Sequence, residues 1–373
     1  MTEQTQRNIP LAKASIGKEE EEAMIETLRS GWLTHGDKNK IFEKQFAEFI
    51  GVKHAISMNS CTAALFLAIK ANDIAGEVIL PSFTFSASAN AIVTAGATPV
   101  FADIDEQTGM LDPKSVEAAI TDKTQAVMVV HFAGQSADIG ALKSICDKHN
   151  LVFIEDSAEA IGAEYNGGRT GSFGFGCFSF FPTKNITCGE GGMFTTNDDE
   201  LAKRVSVLMA HGIEKAQNPP FSGFRSASVA GYNFRLSNIL AAIGVEQMKK
   251  IDRFNARRRE IATLYNELLS QVEQVKTPVE KDGRVHVYQM YTIRVESETR
   301  NQLLNHLIQK GVGASVHFSP PVHLQEYYRD KFTSVPLPVT ERLHNEILTL
   351  PIFTEKTNDE ERYVCDQIKV FFD

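Results

Sequence analysis

From residue 54 onward the chain alternates short apolar runs with amphipathic stretches. His54–Met58, Val78–Leu80, Pro99–Ala102, Ala126–His131 and Leu151–Glu155 are rich in Val, Ile and Phe and bounded by Gly, Pro, Asn or Asp. That is the pattern of strands buried on both faces. Between them Thr62–Ala71, Ser86–Ala95, Pro113–Ile120 and Asp138–His149 read as helices. Strand–helix–strand repetition predicts an α/β fold whose mostly parallel sheet is covered on both faces. Gly176–Phe181 and Met193–Thr196 follow with no helix between them, so the sheet is expected to end in an antiparallel or irregular section.

At about Leu236 the pattern changes. Leu236, Ile239, Leu240 and Ile243, then Ile251, Phe254, Ile261, Leu264 and Leu268, recur at helical spacing with no intervening proline. This predicts one long or slightly broken helix that leads from one domain to the next. Beyond it the chain reads β–α–β (Val285–Val295, Arg300–Lys310, Ala314–Phe318), then a Pro-rich loop and a closing helix near Asp359–Phe371. The expected division is a large domain, residues 1–250, and a smaller α/β domain, residues 251–373.

Length supports two units, because 373 residues exceed what one core usually fills, about 250–300 residues. A net charge of −9 argues against general affinity for nucleic acid or anionic membrane surfaces. No apolar run approaches the roughly 18 residues of a membrane span, and polar Met1–Arg7 lacks the apolar stretch of a signal peptide. The five cysteines form no C-x-x-C pair. Neither a disulfide framework nor a metal site is expected, and a reducing cytoplasm is the expected compartment.

Three features carry candidate chemistry. A strand ends at Met58, and Asn59-Ser60-Cys61-Thr62-Ala63 leads straight into a helix, whose N-terminal N–H groups suit a phosphate; an ordinary N-cap by Ser60 or Thr62 is the plain alternative. The strand Leu151–Glu155 delivers a carboxylate pair, Glu155-Asp156, at its carboxyl end, where open α/β sheets bind ligands. A helix cap or a structural ion pair would explain that pair equally well. Lys184 lies between Phe180-Phe181-Pro182 and the glycine-rich run Gly189-Glu190-Gly191-Gly192, flanks that argue for a buried and tightly turned setting, with a surface lysine in an open loop as the plain alternative. No G-x-x-x-x-G-K and no G-x-G-x-x-G after a first strand is present, which disfavours nucleotide-dependent folds of those types.

Taken together, the three match the needs of pyridoxal 5′-phosphate. A lysine holds its aldehyde as a Schiff base, a carboxylate keeps its ring nitrogen protonated, and a helix end takes its phosphate. The chain resembles the DegT-type sugar aminotransferases, a fold-type I family built like aspartate aminotransferase. The likeness runs through Ile9-Pro10-Leu11, Ser30–Gly36, Pro81-Ser82-Phe83-Thr84-Phe85, the Asp156 and Lys184 motifs and Gly231–Leu236. It continues through Val316-His317-Phe318 to Pro321-Val322-His323-Leu324-Gln325.

The resemblance implies that Lys184 is the catalytic lysine and that Asp156 pairs with the pyridinium. It implies that Phe85 and Ala158 flank the ring, and that Thr62, Ala63 and Ser179 hold the phosphate. Asn233 is implied to reach that phosphate from a partner subunit, so the active sites would be shared within a homodimer. Glu159 stands where many members carry His or Gln near the ring hydroxyl, and Phe318 where Tyr is frequent. Implied substrates are an amino-acid donor, L-glutamate by family expectation, and a keto-sugar, nucleotide-linked or not, in amino-sugar or surface-polysaccharide biosynthesis. Trp32, His317 and His323 are candidates for the substrate pocket. Dehydratases on this scaffold replace the lysine with histidine, and a non-catalytic relative would be expected to lose Lys184 or Asp156; this chain keeps both. Arg257-Arg258-Arg259 reads as a solvated face or a dimer contact.

Overall fold

The structure is a computed structural model, and it describes residues 7–214, 221–332 and 335–373. Its centre is a seven-stranded sheet of β1 (His54–Met58), β2 (Glu77–Pro81), β3 (Thr98–Ala102), β4 (Thr124–Val130), β5 (Val152–Asp156), β6 (Phe175–Ser179) and β7 (Gly192–Thr196), in the order β1-β7-β6-β5-β4-β2-β3. Each connected pair from β3 to β6 is parallel, whereas β7 runs antiparallel to both its neighbours. The expected antiparallel section is therefore one reversed strand inside the sheet.

The period-2 alternation of side chains sorts the core into two layers. Val78, Leu80, Met128 and Ile154 pack on one face with Leu67, Ile92 and Val205. These come from α3 (Cys61–Lys70), α4 (Ser86–Thr94) and α7 (Asp199–Met209). Ile79, Val127, Val129 and Phe153 pack on the other face with Val116 and Leu142, from α5 (Pro113–Ala119) and α6 (Ile139–His149).

Two helices precede β1: α1 (Lys18–Ser30) and α2 (Asp37–Ile50). α2 drives Phe42 and Phe46 into Phe178 and Phe180, with ring centroids 4.9 Å apart for Phe42–Phe180 and for Phe46–Phe178. This aromatic block underlies the loop that follows β6. α1 buries no apolar stripe; its fully buried Glu20 is held instead by Lys250 Nζ at 2.6 Å and Gln247 Nε2 at 2.8 Å.

The predicted long helix is broken once, between α8 (Asn238–Met248) and α9 (Ile251–Leu269). The last part of the chain carries α10 (Ser297–Gln309), α11 (Pro338–Glu346) and α12 (Asn358–Phe372) beside a two-stranded antiparallel sheet, β8 (Tyr291–Arg294) with β9 (Ile347–Leu350). One expectation is corrected here. Ala314–Phe318 is not a strand of this sheet; only Ser315 bridges to Thr349. The place beside β8 is taken by Ile347–Leu350, fully buried and apolar at three of its four positions, which out-competes the more polar Ala314–Phe318 segment.

Two segments cross the 250/251 division. Ile9 bridges to Val312 and packs in the C-terminal cluster with Tyr265 and Leu303. In return Val322, Tyr328 and Leu337 pack in the core beneath α3 and α4. This returning strap is hydrogen-bonded just past the ends of β2 and the edge strand β3. Val322 N–H donates to the Ser82 carbonyl at 2.9 Å, and His323 N–H to Ser82 Oγ at 2.9 Å. Asp103 accepts from Val339 N–H, Thr340 N–H and Thr340 Oγ1 at 2.7–3.0 Å, capping α11.

Candidate active site

A cleft of about 430 Å³ opens at the carboxyl ends of the parallel strands, where open α/β sheets place ligands. Of the candidate residues, Thr62, Phe85, Asp156, Ala158, Glu159, Ser179, Lys184 and His317 line it, together with Phe318. Trp32, Ala63, Asn233 and His323 do not. Trp32 Nε1 donates to the His35 carbonyl at 3.1 Å on an exposed turn. Asn233 is exposed and bridges Ala210. His323 is engaged through Nδ1 with Ser82 Oγ at 2.6 Å, serving the strap.

Asp156 closes β5. Its neighbour Glu155 points to the opposite side of the sheet, where its two oxygens accept N–H groups of Gly171, Phe173 and Gly174 at 2.8–2.9 Å and face His131 Nε2 at 3.0 Å. His131 Nδ1 accepts the Ala137 N–H, so Nε2 carries the proton that goes to Glu155. Asp156 receives only Ser88 Oγ at 2.7 Å and Ala158 N–H at 3.2 Å. Burial raises its pKa above the ordinary carboxylate range, with the Ser88 and Ala158 hydrogen bonds opposing the rise. A buried carboxylate facing a cleft with so few donors is a receptor for a cation.

Lys184 sits on the loop between β6 and β7. The loop is pinned by Lys184 N–H to the Phe181 carbonyl, Cys188 N–H to Phe180 and Thr187 Oγ1 to Phe180, all at 2.7–3.0 Å. Because β7 is reversed, this loop returns to the edge it left and hangs over the cleft. Lys184 Nζ lies 3.4 Å from Glu159 Oε1. Among the described residues, Lys184 is the only lysine or arginine lining the cleft.

The start of α3 faces the same space. Ser60 caps the helix by accepting the Ala63 N–H at 3.1 Å, which uses the amide of Ala63 internally. The N–H groups of Cys61 and Thr62 belong to the first turn and have no intrahelical partner. Gly192 backs directly onto this turn, and a Cβ there would collide with the Ser60 backbone. Phe85, 62 % exposed, presents its ring at the cleft beside the α4 N-terminus.

These groups fit pyridoxal phosphate: an amine for the aldehyde, a cation-seeking buried carboxylate for the ring nitrogen, free helix-start amides for the phosphate, and an aromatic side chain for the ring face. Residues missed in the sequence include Ser88, which serves Asp156, and Gln289, whose Nε2 donates to the Thr183 carbonyl at 2.9 Å beside Lys184. Ser88 lies one turn after Phe85 on an already predicted helix, so its spacing was available. Gln289 had no local signal.

The model of the DegT/DnrJ/EryC1/StrS aminotransferase family matches residues 14–369. The chain belongs to that family. It is 40% identical to the Bacillus subtilis spore coat polysaccharide biosynthesis protein SpsC, covering 99% of this chain and 98% of SpsC. Among solved structures, Helicobacter pylori PseC, an aminotransferase involved in the biosynthesis of pseudoaminic acid, superposes with a TM-score of 0.92 at 30% identity over 98% of this chain and 99% of PseC. Spr1654 of Streptococcus pneumoniae in its PLP form gives 0.91 at 28% identity over 97% and 98%. The fold is accordingly the α/β fold of fold type I, and the enzyme is a sugar aminotransferase of a PLP-dependent family. Among the described residues no helix is long and apolar enough to cross a membrane, and no cluster of His, Cys, Asp and Glu could hold a metal.

Proposed function

We propose that the enzyme moves an amino group from L-glutamate to a nucleotide-linked keto-sugar, in the cytoplasm, for amino-sugar or surface-polysaccharide synthesis. The observation that carries this is the convergence of Asp156, Lys184 and the α3 start on one cleft. SpsC, named for polysaccharide biosynthesis, supports the setting.

When bound, pyridoxal phosphate supplies an aldehyde that an amine can hold and a protonated ring that withdraws electrons from a carbon losing its proton. Lys184 would hold the aldehyde, and its amine, once free, would serve as the acid–base group that moves a proton at the substrate carbon. Asp156 keeps the ring nitrogen protonated through an ion pair in a partly dry setting. Cys61 and Thr62 N–H groups, with the Ser179 hydroxyl, hold the phosphate. Phe85 and Ala158 confine the ring between them.

A sugar diphosphate needs cations, and Lys184 is already committed. The reading therefore includes a homodimer in which the partner subunit completes the site, with Asn233 reaching the cofactor phosphate as an uncharged amide donor. It also treats residues 1–250 and 251–373 as the large and small domains, meeting at the break between α8 and α9.

The test is a substrate panel. The purified protein is mixed with glutamate and either nucleotide-linked or unlinked keto-sugars, and the amino product is measured. Turnover confined to unlinked keto-sugar acids would overturn the nucleotide-linked reading. In mixed dimers of Lys184→Ala and Asn233→Asp, recovery of activity is expected if Asn233 acts across the interface; no recovery despite subunit exchange would place it in its own subunit's site.

A further inference from the structure

The cleft contains two inward-facing carboxylates and one lysine, so their charges can be assigned. Glu159 Oε1 lies 3.4 Å from Lys184 Nζ, with the two side chains only 9% and 15% exposed. The other oxygen, Oε2, accepts the Ala133 N–H at 2.9 Å. Glu159 is thereby clamped to the turn Phe132–Gly134 on one side and turned toward the amine on the other. No equivalent contact reaches Asp156, whose oxygens are taken by Ser88 and Ala158.

The other titratable groups around the pair do not compete for this role. His317 Nδ1 is engaged with Thr349 Oγ1 at 2.9 Å, and burial lowers its pKa, with Glu159 opposing the fall and Lys184 adding to it. Cys61, at the start of α3, is driven upward by burial and stays a thiol. Glu190 stands on an exposed turn at the rim.

We infer that Glu159 is a positioning residue for Lys184: it is the resident counter-ion that orients the lysine amine whenever that amine is not bonded to cofactor. Asp156 then awaits the cation brought by the ligand. Two carboxylates thus serve two cations, one built into the chain and one delivered. The step Glu159 controls is a simple proton loss. Lys184–NH₃⁺ gives one proton to solvent and becomes Lys184–NH₂, whose lone pair adds to an aldehyde carbon as the C=O bond opens, the oxygen then leaving as water; no electrons are transferred between redox groups. A carboxylate at 3.4 Å opposes that loss, because an opposite charge this close favours the charged form of its partner. A neutral glutamine in the same place would not.

This inference rests on the reading of Lys184 as the amine that captures the cofactor, and the experiment separates the two. Full-length apoprotein is mixed with pyridoxal 5′-phosphate, and the absorbance change of covalent capture is followed from mildly acidic to alkaline pH. Glu159→Gln keeps the acceptor for the Ala133 N–H but removes the charge. Its capture-rate midpoint is expected to move to lower pH, making capture about 10-fold faster at the acidic end of the series. A profile superimposable on wild type would overturn the inference. Should Glu159→Gln not fold, Glu159→Asp decides: drawing the charge back by one methylene is expected to move the midpoint the same way by a smaller amount, and an unmoved midpoint is fatal. Lys184→Ala is the second arm. If it still gives the covalent absorbance change, the lysine assignment itself fails, whatever Glu159 does.

Discussion

Glu155 and Asp156 are consecutive residues on one strand, both almost wholly buried, and they do opposite things. Glu155, on the far side of the sheet, is saturated by three backbone N–H groups and a histidine. Asp156, on the cleft side, has one hydroxyl and one amide. The difference teaches that burial alone does not mark a functional carboxylate. What marks it is burial with unspent acceptor capacity directed at a space large enough for a ligand.

The largest effect that would sharpen this contrast is on turnover. Asp156→Asn is expected to cut kcat on the order of 10²–10³-fold, the rate equivalent of losing about 3–4 kcal/mol from a buried ion pair, with the fold retained by circular dichroism. Near-normal single-turnover rates would make Asp156 as structural as its neighbour. Glu155→Gln is the mirror experiment. An amide cannot serve three N–H donors and a histidine proton with both its ends, so denaturant unfolding should show a loss of about 2–4 kcal/mol. Cofactor affinity of the folded fraction should stay close to wild type. A stable but inactive Glu155→Gln protein would break the comparison.

A pH series on apoprotein tests Asp156 by sign. Burial raises the Asp156 pKa in the folded state above an unfolded value of about 3.9. The folded chain then binds more protons, so this group's contribution to stability falls as pH rises from the unfolded value through the raised folded one. Apo Asp156→Asn should therefore be more stable than wild type near pH 7 and equal to it near pH 3, in thermal melts. Saturating cofactor should reverse the order at pH 7, since it binds the wild-type site more tightly. The smallest effect is that of Ser88→Ala. Removing one hydroxyl from Asp156 is worth about 1 kcal/mol, seen as a roughly fivefold change in cofactor dissociation constant and little change in melting temperature.

Much of this was legible beforehand, and the failures have physical causes. The strands from β1 to β5 and their helices are strongly patterned, and Lys184 and Asp156 announced themselves by their flanks. Asp156 stood out from the Glu155-Asp156 pair by its place at the strand's carboxyl end, whereas the partners that saturate Glu155, Gly171 and His131 among them, lie 16 and 24 residues away and leave no local sign. α1 escaped notice because its buried residues are Glu20, Ala23 and Thr27: it is held by charge pairing, which leaves no apolar period to read. α2 was not among the expected elements either, although Phe42, Phe46 and Ile50 stand at helical spacing. The phosphate reading of Ala63 met a local competitor, the Ser60 cap, which takes the same N–H. Glu159 was noticed as a departure from the family pattern, yet its pairing with Lys184 spans 25 residues and depends on a loop conformation that no local pattern encodes.

The crossing segments at the two ends of the chain bear on how the molecule comes apart. Ile9 is a structural part of the C-terminal cluster, while Val322, Tyr328 and Leu337 belong to the core under α3 and α4. Each half holds a hostage from the other. Cutting at residue 250 would strip Ile9 from one core and three apolar side chains from the other, leaving both fragments with raw apolar seams. Melting is then a joint event: calorimetry should give a single cooperative transition rather than two. For protein engineers the practical unit of exchange is the whole chain, since a graft of either half from a relative has to carry the matching strap and the matching N-terminal segment with it.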